Sequence, residues 1–163
     1  MIWVGLLLWW AQSAVPQQVQ RGEALFQEAS RGCVNCHSLK SHGTAIGPDL
    51  SPIGHLSPQA IATAVRSSVT QYVQSVKLKS GESFPGMPAG EDGTALKFYD
   101  VSKAPPELRR VERSDVASTL SQDAWKHPPS AGAYSSQQLA DIVAYIRFAV
   151  TGNTKPVAPD DVE

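Results

Sequence analysis

The stretch that decides the fold of this chain is Cys33-Val34-Asn35-Cys36-His37. Two cysteines separated by two residues and followed at once by a histidine form the pattern for covalent attachment of a c-type haem. The two sulfurs lie close enough on one tight turn to bond both vinyl groups of one haem, and His37 is then placed under the iron as its proximal ligand. The chain has 2 cysteines, so neither is left for a disulfide. We therefore predict one covalent haem c.

Two other kinds of site use cysteines at this spacing, namely redox dithiols and zinc sites. A redox dithiol normally follows a buried strand, whereas the residues before Cys33 predict a helix. A structural zinc site needs four ligands, and the nearby set of Cys33, Cys36, His37 and His42 is spaced unlike a zinc finger or ribbon. The histidine that directly follows Cys36 and the export signal described next favour haem.

The N-terminal segment, residues 1–14, has the pattern of a signal peptide. Its apolar run, residues 2–10, is too short for a permanent membrane span, and the small residues Ala11, Ser13 and Ala14 suit a signal peptidase. The segment departs from the usual pattern because no Lys or Arg precedes Arg21. We expect a cleaved signal and a periplasmic protein; the alternative is an uncleaved N-terminal anchor, in which case the protein is held at a membrane.

Composition limits the chain to one domain. After removal of the signal, most of the 163 residues belong to a domain over 17–151, and the 42% hydrophobic content is enough for a core. The net charge of −1, without a basic patch, argues against nucleic-acid binding. Residues 152–163 are polar and contain two prolines, so we expect a flexible C-terminal tail.

Apolar periodicity predicts three helices, the first two over 17–30 and 57–71. Gly22 is unusual inside the first helix, where it costs about 1 kcal/mol relative to Ala. Either another backbone approaches closely there, or the helix begins later. Ser57 caps the second helix and Pro58 occupies its first position.

The last helix is predicted over 135–150, where aliphatic side chains form a stripe at helical spacing. Ser135 and Gln138 make a capping box, and Gly152 is placed to end the helix. Between the second and last helices, alternating patterns predict strands over 72–79, 83–87, 94–99 and 111–116. We therefore expect a small β insertion over about 72–116.

Gly22, Phe26 and Tyr145 resemble the crossing first and last helices of class I cytochromes c, and Gly47-Pro48 resembles the loop that follows their haem motif. The resemblance implies a mainly α fold, with cytochrome c-like helices around one haem and a β-hairpin or small sheet inserted before the distal loop and last helix. It also implies that the Pro48 carbonyl accepts the Nδ1 hydrogen of the proximal histidine. The strand–turn pattern of the insertion is similar to haem-binding domains of planctomycetes and acidobacteria.

The sixth iron ligand has two candidates, His127 and Met87. The resemblance implies that the distal loop leads directly into the last helix, and His127 lies 8 residues before Ser135 whereas Met87 lies 48 before it. In the similar haem-binding domains, a Met-Pro pair occupies the place of His127-Pro128. We therefore expect His127, with Met87 as the alternative and an open or water-held iron as the third possibility. A second imidazole generally lowers the reduction potential relative to a thioether ligand.

Three further residues are weaker candidates. His42 lies in the polar loop after the haem motif and is expected to be solvated. His55, before the second helix, is expected to be a loop histidine, although it lies where it would reach a haem propionate. The side chain of Trp125 is expected on the haem edge or on the hairpin.

These features predict an electron carrier rather than an enzyme. No Ser-His-Asp set, phosphate loop or carboxylate pair indicates a further active site, so we expect a periplasmic monohaem cytochrome that carries single electrons between redox proteins. The resemblance implies an exported quinoprotein dehydrogenase as one partner. The alternatives are a haem-bearing subunit or docking module of such a complex, and a redox or gas sensor; a peroxidase-like enzyme is the least favoured.

Overall fold

The computed structural model describes residues 15–67, 72–122, 125 and 134–163. Its described elements are three α-helices, a five-stranded antiparallel sheet and a two-stranded ribbon, with 37% of residues helical and 28% in strands. The predicted mainly α fold is therefore wrong, because the insertion is a complete sheet with its own core rather than a hairpin. No helix in the described ranges is long and apolar enough to span a membrane.

The helical half contains α1 (Gln17–Phe26), α2 (Pro58–Ser67) and α3 (Ser136–Thr151). The first helix is shorter than the predicted 17–30, and the predicted end of the second, residues 68–71, lies outside the described part. The end signals of α3 are confirmed: the capping box of Ser135 and Gln138 is formed, and Gly152 ends the helix in the left-handed region at φ 71°.

The crossing of α1 and α3 depends on Gly22. A Cβ atom there would lie 1.9 Å from the Asp141 carbonyl oxygen, so the two backbones approach too closely for any side chain. Next to this contact, the rings of Phe26 and Tyr145 pack with their centroids 5.3 Å apart. The close-approach explanation of Gly22 is therefore confirmed. The core of this half consists of Phe26, Leu39, Ile61, Ala62, Leu139, Ala140, Ile142, Val143, Ala144, Ile146, Val157 and Val162.

The C-terminal segment is packed against the helices, contrary to the flexible tail expected from its composition. Val157 and Val162 are 2% and 0% exposed and belong to the helical core. The Gln18 side chain donates to the Val157 carbonyl at 2.8 Å and accepts from its N–H at 3.0 Å. Arg66 on α2 donates to the Val162 carbonyl. Two apolar anchors thus outweigh the polar composition of the segment.

The described strands are β1 (Ser38–Leu39), β2 (His42–Gly43), β3 (Gln74–Leu78), β4 (Ser83–Asp92), β5 (Ala95–Asp100), β6 (Glu107–Glu112) and β7 (Val116–Ser121). The last five form the inserted half, one antiparallel sheet with the order β6-β5-β4-β3-β7. The first two strands of the chain, β1 and β2, form a separate two-stranded ribbon after the haem motif. A 3₁₀ turn, Arg113–Asp115, carries the chain from β6 at one edge of the sheet to β7 at the other.

One face of this sheet holds a second, smaller core made by Val76, Phe84, Phe98 and Val111. The Phe84 and Phe98 rings meet edge to face at 6.2 Å, and the Arg109 guanidinium lies 4.1 Å from the centre of the Phe84 ring. The predicted strand over 111–116 is in fact the end of β6, the 3₁₀ turn and the start of β7, so the insertion extends to residue 121.

Candidate haem site

The haem motif forms a short 3₁₀ turn, Cys33–Asn35, which is separated from the end of α1 by residues 27–32. The backbone N–H groups of Cys36 and His37 both donate to the Cys33 carbonyl, at 3.1 and 2.8 Å. The Asn35 side chain donates to the Ala29 carbonyl at 3.0 Å and so connects the turn to the segment that follows α1. These bonds place both cysteine side chains and His37 on the wall of one cavity.

Neither cysteine forms a disulfide, and both lie in a largely apolar setting. Burial raises the pKa of the Cys33 thiol to about 11 and also raises the pKa of Cys36. A redox-active dithiol needs the opposite shift, because the thiolate is the reactive form. The environment of the two sulfurs therefore favours thiols over thiolates and gives no support to a redox dithiol.

The His37 ring is oriented by the loop that follows it. Its Nδ1 lies 2.7 Å from the Pro48 carbonyl oxygen, which accepts only, so Nδ1 carries the hydrogen and Nε2 has the lone pair that a metal requires. Gly47 packs against the same ring: a Cβ there would lie 2.6 Å from Cε1. The structure therefore brings together Cys33, Cys36, His37 and Pro48, as the sequence predicts.

The cavity has a volume of about 460 Å³ and a mostly apolar wall, which fits a large flat cofactor. It lies between the two halves of the protein. The helical half contributes the haem motif, the Gly47-Pro48 loop and aliphatic residues of α2 and α3. The inserted half contributes Tyr72, Met87, Val101, Lys103, Ala104 and Pro106.

Met87 reaches this cavity from the middle of the sheet. Phe84 and Gly86 face the second core, and because side chains alternate along a strand, Met87 points to the opposite face. There it is paired with Tyr99 on β5 and is half-buried on the cavity wall. The favoured sixth ligand, His127, lies outside the described residues.

The remaining predicted residues divide into two groups. His42 and His55 are exposed and line no part of the cavity, and the described residues contain no cluster of three His, Cys, Asp or Glu side chains suited to a metal ion. The zinc alternative therefore has no support in the described part of the chain. Trp125 does line the cavity, which places it beside the haem site rather than on the far side of the sheet.

The segment between β5 and β6, residues 101–106, was not predicted to belong to the haem site. Val101, Lys103, Ala104 and Pro106 line the cavity, but nothing in their local pattern distinguishes them from an ordinary connecting loop. Only the pairing of β4 with β5 brings this loop beside the haem motif. Tyr134, which lines the cavity and donates to the Arg31 carbonyl at 3.1 Å, was also not predicted.

A paired-thiol turn, an oriented imidazole and an apolar cavity between them define a c-type haem protein. A model of the cytochrome c family matches residues 19–118, which include the whole haem motif and most of the inserted sheet. The chain therefore belongs to the cytochrome c family and binds one haem c covalently. No curated protein matches the chain.

Proposed function

We propose that this protein is an exported, single-haem electron carrier that exchanges one electron at a time with other redox proteins. The observation that supports this most directly is the arrangement of Cys33, Cys36 and His37 on one apolar cavity, with Pro48 holding the imidazole. Haem iron supplies the one-electron redox chemistry. The chain's own residues bind the cofactor, orient the proximal ligand and exclude water from most of its surface.

The periplasmic location rests on the N-terminal segment and on the chemistry of the site. An apolar run followed by small residues is typical of export, and haem attachment to such a motif in bacteria takes place outside the cytoplasmic membrane. Partners are then other exported redox proteins, among them a quinoprotein dehydrogenase. Nucleic acid is not a partner on grounds of charge, and membrane attachment requires that residues 1–14 are retained.

A redox titration of the haem-loaded protein tests this function. We expect one reversible step with a slope for a single electron, and rapid reduction and oxidation by soluble redox proteins. The reduced protein is expected not to bind carbon monoxide, because a carrier keeps both axial positions filled. Stoichiometric carbon monoxide binding without exchange with protein partners would contradict the carrier and favour a gas sensor.

For the sixth ligand we propose His127, with Met87 as the competing candidate. His127 is favoured by its position shortly before α3, and Met87 by its place on the cavity wall. The oxidised protein with His/His ligation has a near-infrared and low-temperature magnetic resonance spectrum that differs from that of His/Met ligation.

The matched pair His127→Ala and Met87→Ala separates these candidates. If His127 is the ligand, His127→Ala gives a high-spin haem that accepts added ligands, whereas Met87→Ala keeps the low-spin spectrum. The reverse result assigns the position to Met87 and refutes the His127 proposal.

A further inference from the structure

The loop between β5 and β6 is part of the haem cavity. Val101, Lys103, Ala104 and Pro106 line the same wall as the haem motif, although they belong to the inserted sheet. The loop is held in place at its start, where the Val101 N–H donates to the Pro85 carbonyl on β4 at 3.0 Å. The sheet thus contacts the cofactor site through this loop.

Three charged residues are among the described residues of the cavity wall: Arg31, Asp49 and Lys103. Arg31 is committed to the Glu28 carboxylate at 2.9 Å and lies over the Tyr134 ring at 5.0 Å. Asp49 accepts from the Ser51 N–H at 2.6 Å and from the Ser38 hydroxyl at 2.9 Å. Arg31 is therefore already ion-paired, and the Asp49 carboxylate already accepts hydrogen bonds within the protein.

Lys103 is different. Its side chain is exposed at the edge of the cavity, and it forms no ion pair with any acidic residue in the part of the chain that the structure describes. An uncommitted ammonium at the rim of an otherwise apolar cavity is placed to meet an anion that enters with the ligand.

Haem c carries two propionates, and a carboxylate against an apolar wall is costly unless it is paired or solvated. We propose that Lys103 pairs with a propionate of the bound haem and that, through this pair, the inserted sheet raises the reduction potential. The positive charge favours the ferrous state because reduction adds negative charge to the iron centre. This inference depends on haem binding, but on no particular redox partner.

The test compares Lys103→Met with Lys103→Arg and with Lys79→Met. Lys79 is a matched control, because it is an exposed lysine directly after β3 and lines no part of the cavity. The measurement is an equilibrium redox titration of the haem-loaded proteins against a one-electron dye. Absorption spectra and intact mass verify that each variant carries one haem and an unchanged iron spin state.

We expect Lys103→Met to reduce the equilibrium constant for reduction roughly threefold to tenfold. At 59 mV per tenfold for one electron, this corresponds to a potential lower by about 28 to 59 mV. Lys103→Arg retains the charge and stays within about twofold of the unaltered protein, and Lys79→Met shows no shift. The shift in Lys103→Met should persist at about 0.5 M salt, because a contact pair is screened less than separated surface charges.

Two results overturn the proposal. One is a potential for Lys103→Met equal to that of Lys79→Met. The other is a shift that disappears at high salt, which indicates a distant surface charge without a propionate contact. In either case the titration itself still reports reversible one-electron chemistry, so the carrier function is judged separately.

Discussion

Gly47 controls the orientation of the proximal ligand at the scale of single atoms. A Cβ at this position would lie 2.6 Å from Cε1 and 2.9 Å from Nδ1 of His37, closer than two such atoms can approach. The same ring has its Nδ1 at 2.7 Å from the Pro48 carbonyl. The absence of a side chain at residue 47 and the carbonyl at residue 48 therefore act together on one imidazole.

We predict that Gly47→Ala displaces the His37 ring and weakens its bond to iron. The expected result is a reduced low-spin fraction in the absorption and magnetic resonance spectra of the haem-loaded protein. Gly93→Ala is the control: no atom lies within 4 Å of its new Cβ, and its φ of 57° costs about 1 kcal/mol of stability. An unchanged spectrum in Gly47→Ala would show that the loop does not orient the ring.

Site residues whose role depends on their spacing along the chain could be predicted. Site residues that reach the cavity only through the pairing of distant strands could not. The haem motif and Pro48 are recognisable because their chemistry depends on spacing along the chain. Lys103 and Tyr72 reach the cavity only through the register of β3, β4 and β5, which no local pattern encodes. Met87 was identified by residue type and by its spacing from His37, while the direction of its side chain follows from the strand register.

At the scale of elements, the contact between α1 and α3 fixes the helical half. It combines the close backbone approach at Gly22 with an ion pair in which Arg21 donates to Asp141 at 2.8 and 3.0 Å. The Asp141 side chain is 4% exposed and also accepts from Gln137 at 2.8 Å. Both features lie on the face of α3 that crosses α1.

We predict that Gly22→Ala separates the two helices, because its Cβ would lie 1.9 Å from a backbone oxygen that cannot move independently. Overpacking of this kind costs about 3 kcal/mol of unfolding free energy or more. Urea unfolding followed by circular dichroism measures the loss. A stability within about 0.5 kcal/mol of the unaltered protein would show that the helices are not packed as closely as described.

Asp141 gives a pH dependence with a defined sign. Burial alone would raise the pKa of this carboxyl, but hydrogen bonds from Arg21, Gln137 and Gln18 outweigh burial and lower the pKa overall. A carboxyl with a lowered pKa contributes stability above its unfolded-state pKa of about 3.9, and that contribution is lost as the pH falls towards the folded value.

We therefore predict that Asp141→Asn is less stable than the unaltered protein at pH 7, and that the difference shrinks at about pH 3. Part of the effect is screened by salt, because Arg21 is about half exposed. Urea titrations at both pH values measure the difference. A difference that is the same at both pH values would contradict a charged Asp141 in the ion pair.

Helices and strands were predictable where neighbouring residues in the sequence mark their ends. The capping box and final glycine of α3 are read directly from the sequence, and β3 and β5 were found within two residues of their observed ends. The start of β4 was predicted, but the strand continues to Asp92 instead of ending at residue 87. β6 and β7 were not separated, because Glu107–Glu112 is mostly charged or polar and only Val111 reaches the second core. Their assignment depends on pairing with opposite edges of the sheet.

At the scale of the whole molecule, two cores share one cavity. The helical half supplies the turn with the haem motif and the aliphatic part of the cavity wall. The inserted sheet supplies the rest of the described wall, through the face opposite the second core and through the loop between β5 and β6. The mainly α prediction failed because it treated the insertion as a hairpin on a helical protein. The C-terminal segment was misjudged in the same way, since two buried valines decide its packing.

The central claim is that Cys33 and Cys36 hold one haem covalently above His37. Intact mass spectrometry of the protein produced together with a cytochrome c assembly system tests it most directly. We predict a red protein whose mass exceeds that of the polypeptide by one haem under denaturing conditions, and a Cys33→Ala/Cys36→Ala variant that loses this addition. A colourless protein at the polypeptide mass, from cells in which a control cytochrome is fully loaded, would contradict the account.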